Sequence, residues 1–203
     1  MTLKEIATEL KKFDSALIFS HARPDGDTLG SAMALKTALI NLGMEADVVC
    51  ASDIPEKYDI FPAFKTIKKP AEINKKYAAH VSVDISVESM FGDSYNLYAK
   101  NANLFNIDHH VSNSRYAKYN FVRDNAACCE IIYEFMQCLG AEITSEIADY
   151  LILGIITDTG NFMHSNVTEN TFFVASKLVA AGARNHDITY RMFKDQTKAR
   201  ALL

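Results

Sequence analysis

Apolar residues fall along the chain in short runs separated by polar turns. Runs of strand length come first and helical spacing dominates later, the pattern of a layered α/β protein. The opening MTLKEIATELKKF alternates charged and apolar residues at helical spacing and predicts an amphipathic surface helix. Residues 16–20 are the first strand-length run. A polar turn follows over 21–27, then a helix over 28–42 stopped by Gly43, then a strand over 46–50. Strand, helix, strand in that order predicts a parallel sheet with a right-handed crossover. Residues 52–70 hold three of the four prolines and read as loop, with a short strand near 66–68. Further strands are expected over 81–84 and 103–108, and the alternating 116–122 reads as an edge strand. From residue 126 the spacing turns helical, predicting helices over 126–139, 145–156, 168–181 and 186–193, with Gly140 and Gly182 as stops.

Composition narrows the class. With 203 residues, 49% hydrophobic and 23% charged, the chain can bury a full core, and disordered and fibrous classes are excluded. A net charge of -4 gives no global positive field for long nucleic acid. A small anionic substrate stays compatible, because a bound metal reverses the local sign. Cys50, Cys128, Cys129 and Cys138 form no CxxC pair and read as buried free thiols in a reducing cytoplasm. No apolar run approaches membrane-spanning length and the N-terminus lacks signal-peptide features, so a cytoplasmic protein with no membrane partner is expected.

Coordinating side chains gather where the predicted strands end. His21-Ala-Arg-Pro-Asp25-Gly26-Asp27-Thr-Leu-Gly30-Ser31 lies at the first strand–helix junction, and open α/β sheets bind ligands beyond their strands' carboxyl ends. One imidazole and two carboxylates there suit a divalent cation. Gly26 is expected to let the loop turn between the acids, and Pro24 to stiffen the approach. Asp84 ends the strand over 81–84. Asn106-Ile-Asp108-His109-His110 sets a carboxylate and two imidazoles after another strand. Finally, an apolar helix runs into Thr157-Asp158-Thr159-Gly160, and a buried acid at its end needs a partner. Taken singly, each of these residues is served as well by a turn, a helix cap or hydroxyl partners. Taken together, Asp25, Asp27, Asp84 and Asp158 bring four negative charges that two divalent cations would balance. Imidazole and carboxylate donors without thiolate suit Mn²⁺, with Mg²⁺, Co²⁺ and Zn²⁺ as alternatives. Two cations about 3.5–4 Å apart would clamp the oxygens of a phosphoryl displacement and acidify a bridging water, so no serine or cysteine nucleophile is needed.

The order His-x-x-x-Asp-x-Asp, Asp, Asp-His-His, Thr-Asp-Thr-Gly resembles the DHH phosphoesterase superfamily, from Ser20 to at least Asp187. The HARPDGDTLGS form of the first motif is similar to the nanoRNase/pAp phosphatase branch. Family II inorganic pyrophosphatases share the leading histidine and the spacing. The resemblance implies a Rossmann-like parallel-sheet DHH domain with a C-terminal helical subdomain. It implies a first metal on His21, Asp25 and Asp84, and a second on Asp27, Asp84, His109 and Asp158, so that Asp84 bridges. His110 would face the substrate phosphate, stabilising its charge or protonating the leaving oxygen, and Asp108 would orient a histidine ring. His164 is read as either a substrate contact or a surface residue, and Arg115 and Arg123 as possible phosphate contacts.

The implied activity is hydrolysis of short oligoribonucleotides, dinucleotides or pAp to mononucleotides. The alternatives are a manganese-dependent pyrophosphatase or exopolyphosphatase, and a catalytically silent nucleotide-binding module. Relatives in the family often form dimers, which leaves a homodimer open. They usually carry a second domain with a Gly-Gly-Gly-His motif, and this sequence has no Gly-Gly. Residues 1–184 are therefore expected to form the catalytic domain, and 185–203 the start of a connection to a substrate-binding domain. Cys128-Cys129 before Glu130 replaces the small hydroxyl residues common in relatives. If that helix meets phosphate, its backbone N–H groups remain able to bind it.

Overall fold

The computed structural model of the protein describes residues 1–194. Five strands form one parallel sheet in the order β2-β1-β3-β4-β5. They are β1 (Ser15–Phe19), β2 (Glu45–Val49), β3 (Ala79–Val83), β4 (Leu104–Asp108) and β5 (Tyr119–Val122). The helices are α1 (Leu3–Leu10), α2 (Gly26–Asn41), α3 (Tyr95–Tyr98), α4 (Cys128–Leu139), α5 (Ser145–Asp158), α6 (Glu169–Ala180) and α7 (Asn185–Phe193). The strand order reverses between β1 and β3, the place where doubly wound sheets of this order open a crevice for ligand.

Alternation along β1 sorts the core. Ala16 and Ile18 face the larger core, together with Leu29 and Leu35 of α2, Ile131 and Phe135 of α4 and Leu151 and Ile155 of α5. Leu17 and Phe19 face a smaller, aromatic core with Phe91 and Tyr98. The C-terminal helices share the larger core, and Ile188 of α7 is buried in it. Close approach of α2 to α5 depends on glycine: a Cβ at Gly30 would stand 2.3 Å from the Tyr150 carbonyl oxygen.

The predicted elements are present with shifted ends. β5 is an edge strand but begins at Tyr119, and the strand expected near 66–68 is a single bridge between Val49 and Lys68 within three 3₁₀ turns. The 3₁₀ turn Glu88–Ser94 and α3 have no signal in the periodicity, because they are short and broken by Gly92 at φ +55. Among the described residues no helix is long and apolar enough to cross a membrane. The stretch beyond 194, part of the connection expected over 185–203, lies outside the described residues.

Candidate metal centre

The expected ligands converge at the carboxyl end of the sheet. His21 follows β1, Asp84 follows β3, and His109 and His110 follow β4, whose last residue is Asp108. Asp25 caps α2, Asp27 is in its first turn, and Asp158 is the last residue of α5. Gly26 does not act as a turn residue. It is the first residue of α2, and a Cβ there would stand 2.3 Å from Thr157 Oγ1, so glycine is needed to bring α2 against the end of α5. Asp25 and Asp158 reach one site through that contact.

Asp25 serves as cap and candidate ligand at once. Its Oδ1 accepts the N–H groups of Asp27 and Thr28 at 3.0 and 3.1 Å, while Oδ2 lies 3.5 Å from His21 Nε2. Asp84 has φ +58, a left-handed conformation that is strained for a non-glycine residue and concentrated at functional sites. This turn sends its carboxylate between two imidazoles, with Oδ2 3.6 Å from His21 Nε2 and Oδ1 3.3 Å from His109 Nε2. His109 Nδ1 donates to the Asn125 carbonyl at 2.9 Å, so its neutral ring carries the lone pair on Nε2, which also faces Asp27 and Asp158 at 3.9 and 3.7 Å. The hydroxyls of Thr157 and Thr159 bond to carbonyls of their own helix and leave the Asp158 carboxylate unserved.

Two observations fit a cation to this donor set. Asp84 Oδ1 and His109 Nε2 are buried and neither makes a hydrogen bond. The negative charge is also in excess. Burial, then the charges of Asp27, Asp84 and Asp25, pushes the Asp158 carboxyl well above its usual range. Burial and the Asp84 charge raise Asp27 likewise. Burial disfavours the His21 and His109 imidazoliums, yet the neighbouring carboxylates, Asp25 and Asp84 for His21 and Asp84 and Asp27 for His109, lift both to about 10. Without cations the site gathers protons instead. Two triads, His21–Asp25–Asp84 and Asp27–His109–Asp158, each bring ligand atoms within 4.8 Å of one another.

Residues 15–155 match the DHH family, N-terminal domain. The chain belongs to the DHH family. Among DHH relatives it is 32% identical over 193 residues to the bifunctional oligoribonuclease and PAP phosphatase NrnA of Thermus thermophilus, covering 94% of this chain and 57% of that one. To the protein of the same name from Bacillus subtilis it is 28% identical over 182 residues, 86% of this chain and 56% of that one. The chain thus spans little more than half the length of these relatives. The fold superimposes on an exopolyphosphatase-related protein from Bacteroides fragilis with a TM-score of 0.91 at 19% identity, over 98% of this chain and 62% of that one.

The DHH residues themselves divide the work. His109 faces the triads. His110 stands beside them, its Nδ1–H given to Asp108 Oδ1 at 2.8 Å and its Nδ1 3.6 Å from Asp84 Oδ1. Asp108 is fully buried and orients His110 rather than His109. Burial opposes its ionised form, but bonds from His110 and Asn113 hold its carboxyl below the usual range. His110 lines a cleft of about 630 Å³ with His21, Asp25, Asp84 and Asp158, within the size range of small-ligand sites.

Other expectations resolve differently. The α4 N-terminus is not free for phosphate, because the N–H groups of Cys128 and Cys129 bind Asp27 at 2.5 and 2.8 Å. The helix end therefore anchors an acidic side chain of the site. Arg123 forms a two-pronged pair with Glu134 at 3.0 and 2.6 Å. Arg115 is exposed and absent from the cleft lining. His164 caps the end of α5 through the Asp158 carbonyl at 3.2 Å. Sequence reasoning missed Asn125, Asn113 and Arg23. Arg23 is exposed and, among the described residues, is the only arginine or lysine that lines the cleft. Only its place inside the first motif could have signalled it.

Proposed function

We propose that the protein is a metal-dependent phosphoesterase that hydrolyses short oligoribonucleotides or pAp to mononucleotides. The observation that carries this reading is the unpartnered Asp84 carboxylate, set between His21 and His109 with two triads around it. His21, Asp25 and Asp84 would hold one divalent cation, and Asp27, Asp84, His109 and Asp158 a second, with Mn²⁺ favoured by the imidazole–carboxylate donors. When bound, the cations supply Lewis acidity at the phosphoryl oxygens and acidify the attacking water. Asp27 is held by the α4 backbone and His109 by the Asn125 carbonyl, so both donors stand in place before substrate arrives. His110 Nε2, free because Nδ1 is given to Asp108, delivers a proton to the leaving oxygen at the cleft. The Asp108 bond raises the imidazole's proton affinity above its ordinary value, while burial and His109 oppose the rise.

Preference for nucleotides over inorganic anhydrides draws support from the two relatives named as oligoribonuclease and PAP phosphatase. The test is Mn²⁺-dependent release of mononucleotide from a dinucleotide, run beside pyrophosphate. Release of mononucleotide is the expected result. Cleavage of pyrophosphate with the dinucleotide intact at every divalent metal would overturn the assignment.

A further inference from the structure

Asn113 coordinates nothing in either triad, yet its amide is fully committed. Oδ1 accepts the backbone N–H of Arg115 at 2.7 Å, and Arg115 has φ +56. Only the oxygen can accept, so this bond fixes which way the amide points. Nδ2 is thereby turned toward Asp108 Oδ2 at 2.6 Å, Asn106 Oδ1 at 2.9 Å and the Ile85 carbonyl at 3.1 Å. The other oxygen of Asp108 holds His110 Nδ1–H at 2.8 Å. Asp108 is fully buried, so removal of Asn113 strips a buried carboxylate oxygen of its hydrogen bond. His110 has another acceptor in reach, since its Nδ1 lies 3.6 Å from Asp84 Oδ1.

We propose that Asn113 is a positioning residue that holds Asp108 in the rotamer that keeps His110 Nε2 directed at the leaving oxygen. The inference rests on His110 being the proton donor of the proposed hydrolysis. In that step a bond forms between phosphorus and the water oxygen, and the bond from phosphorus to the leaving nucleoside oxygen breaks. The leaving oxygen takes its proton from His110 Nε2, and the proton shed by the water returns to the imidazole through solvent. Asn113 touches none of these atoms. It decides which carboxylate the imidazole answers to. Aspartate cannot replace it, because a carboxylate there would set acceptor against acceptor at Asp108, Asn106 and Ile85.

The experiment measures kcat and KM for Asn113→Ala, Asn113→Asp and His110→Ala on two substrates. One is a dinucleotide, whose alkoxide leaving group needs a proton. The other is a p-nitrophenyl nucleotide ester, whose nitrophenolate does not. Both Asn113 variants should lower kcat on the dinucleotide about 10–100-fold, the usual effect of losing an outer partner. KM and turnover of the nitrophenyl ester should stay near wild type, and calorimetric titration should still find Mn²⁺ binding at wild-type stoichiometry. Aspartate, which fills the same space, should fail as alanine does. Equal slowing on both substrates, or recovery with aspartate, overturns the relay. If His110→Ala discriminates between substrates and the Asn113 variants do not, the relay alone falls. If His110→Ala slows both alike, the proton-donor reading falls and takes the relay with it.

Discussion

Asp84 Oδ1 lies 3.3 Å from His109 Nε2, and these two buried atoms make no hydrogen bond to each other or to anything else among the described residues. Buried polar atoms are almost always satisfied, so a ligand-type pair left open at one point fits a cation held between them. Asp84→Asn keeps the shape and tolerates the left-handed backbone while removing the charge. Calorimetry should show Mn²⁺ binding lost or greatly weakened at both half-sites, and turnover should be abolished. Near-normal turnover in this variant would remove Asp84 from the bridging role.

The metal-free protein should lose stability as pH rises. His21 and His109, lifted from 6.5 to about 10, contribute stability that is complete below about pH 6.5 and disappears as pH climbs through 10. Asp158 and Asp27 carry the same sign, because burial and neighbouring carboxylates make the folded state retain protons that the unfolded chain releases. Melting temperature in chelator should fall between pH 6 and 10, and saturating Mn²⁺ should raise it most at the alkaline end. A flat metal-free profile would contradict this electrostatic description.

Gly30→Ala should be destabilising out of proportion to its single methyl. The new carbon would meet the Tyr150 backbone carbonyl at 2.3 Å, and a backbone cannot rotate aside. Overpacking of this kind costs about 1–3 kcal/mol, readable as a lower urea midpoint. An unchanged midpoint would mean that α2 and α5 separate easily.

Asp149 provides a control far from the cleft. Its Oδ1 accepts the Arg184 N–H and its Oδ2 accepts Arg184 Nε, both at 2.6 Å, tying α5 to the start of α7. Asp149→Ala should cost about 1.5–3 kcal/mol, the range for hydrogen bonds to a charged group. Mn²⁺ affinity should be unchanged. Loss of metal binding in this variant would show that the two regions are coupled.

The strands, the main helices and the six candidate ligands were legible in the order of residues. Alternating and helical spacings report burial directly, and coordinating side chains bunched where predicted strands ended. Tertiary structure decided the rest, because hydrogen bonds between segments distant in sequence leave no periodic trace. The order of residues could not assign Asp25 to cap or ligand, and in the fold Oδ1 caps α2 while Oδ2 faces His21 and stays available to a cation. Gly26 looked like a turn, but its role depends on Thr157 arriving from α5. The α4 N–H groups looked available for phosphate until Asp27 took them from the other end of the chain. The family resemblance implied that Asp108 orients a histidine, and only the fold shows that one of its oxygens meets His110 and the other Asn113.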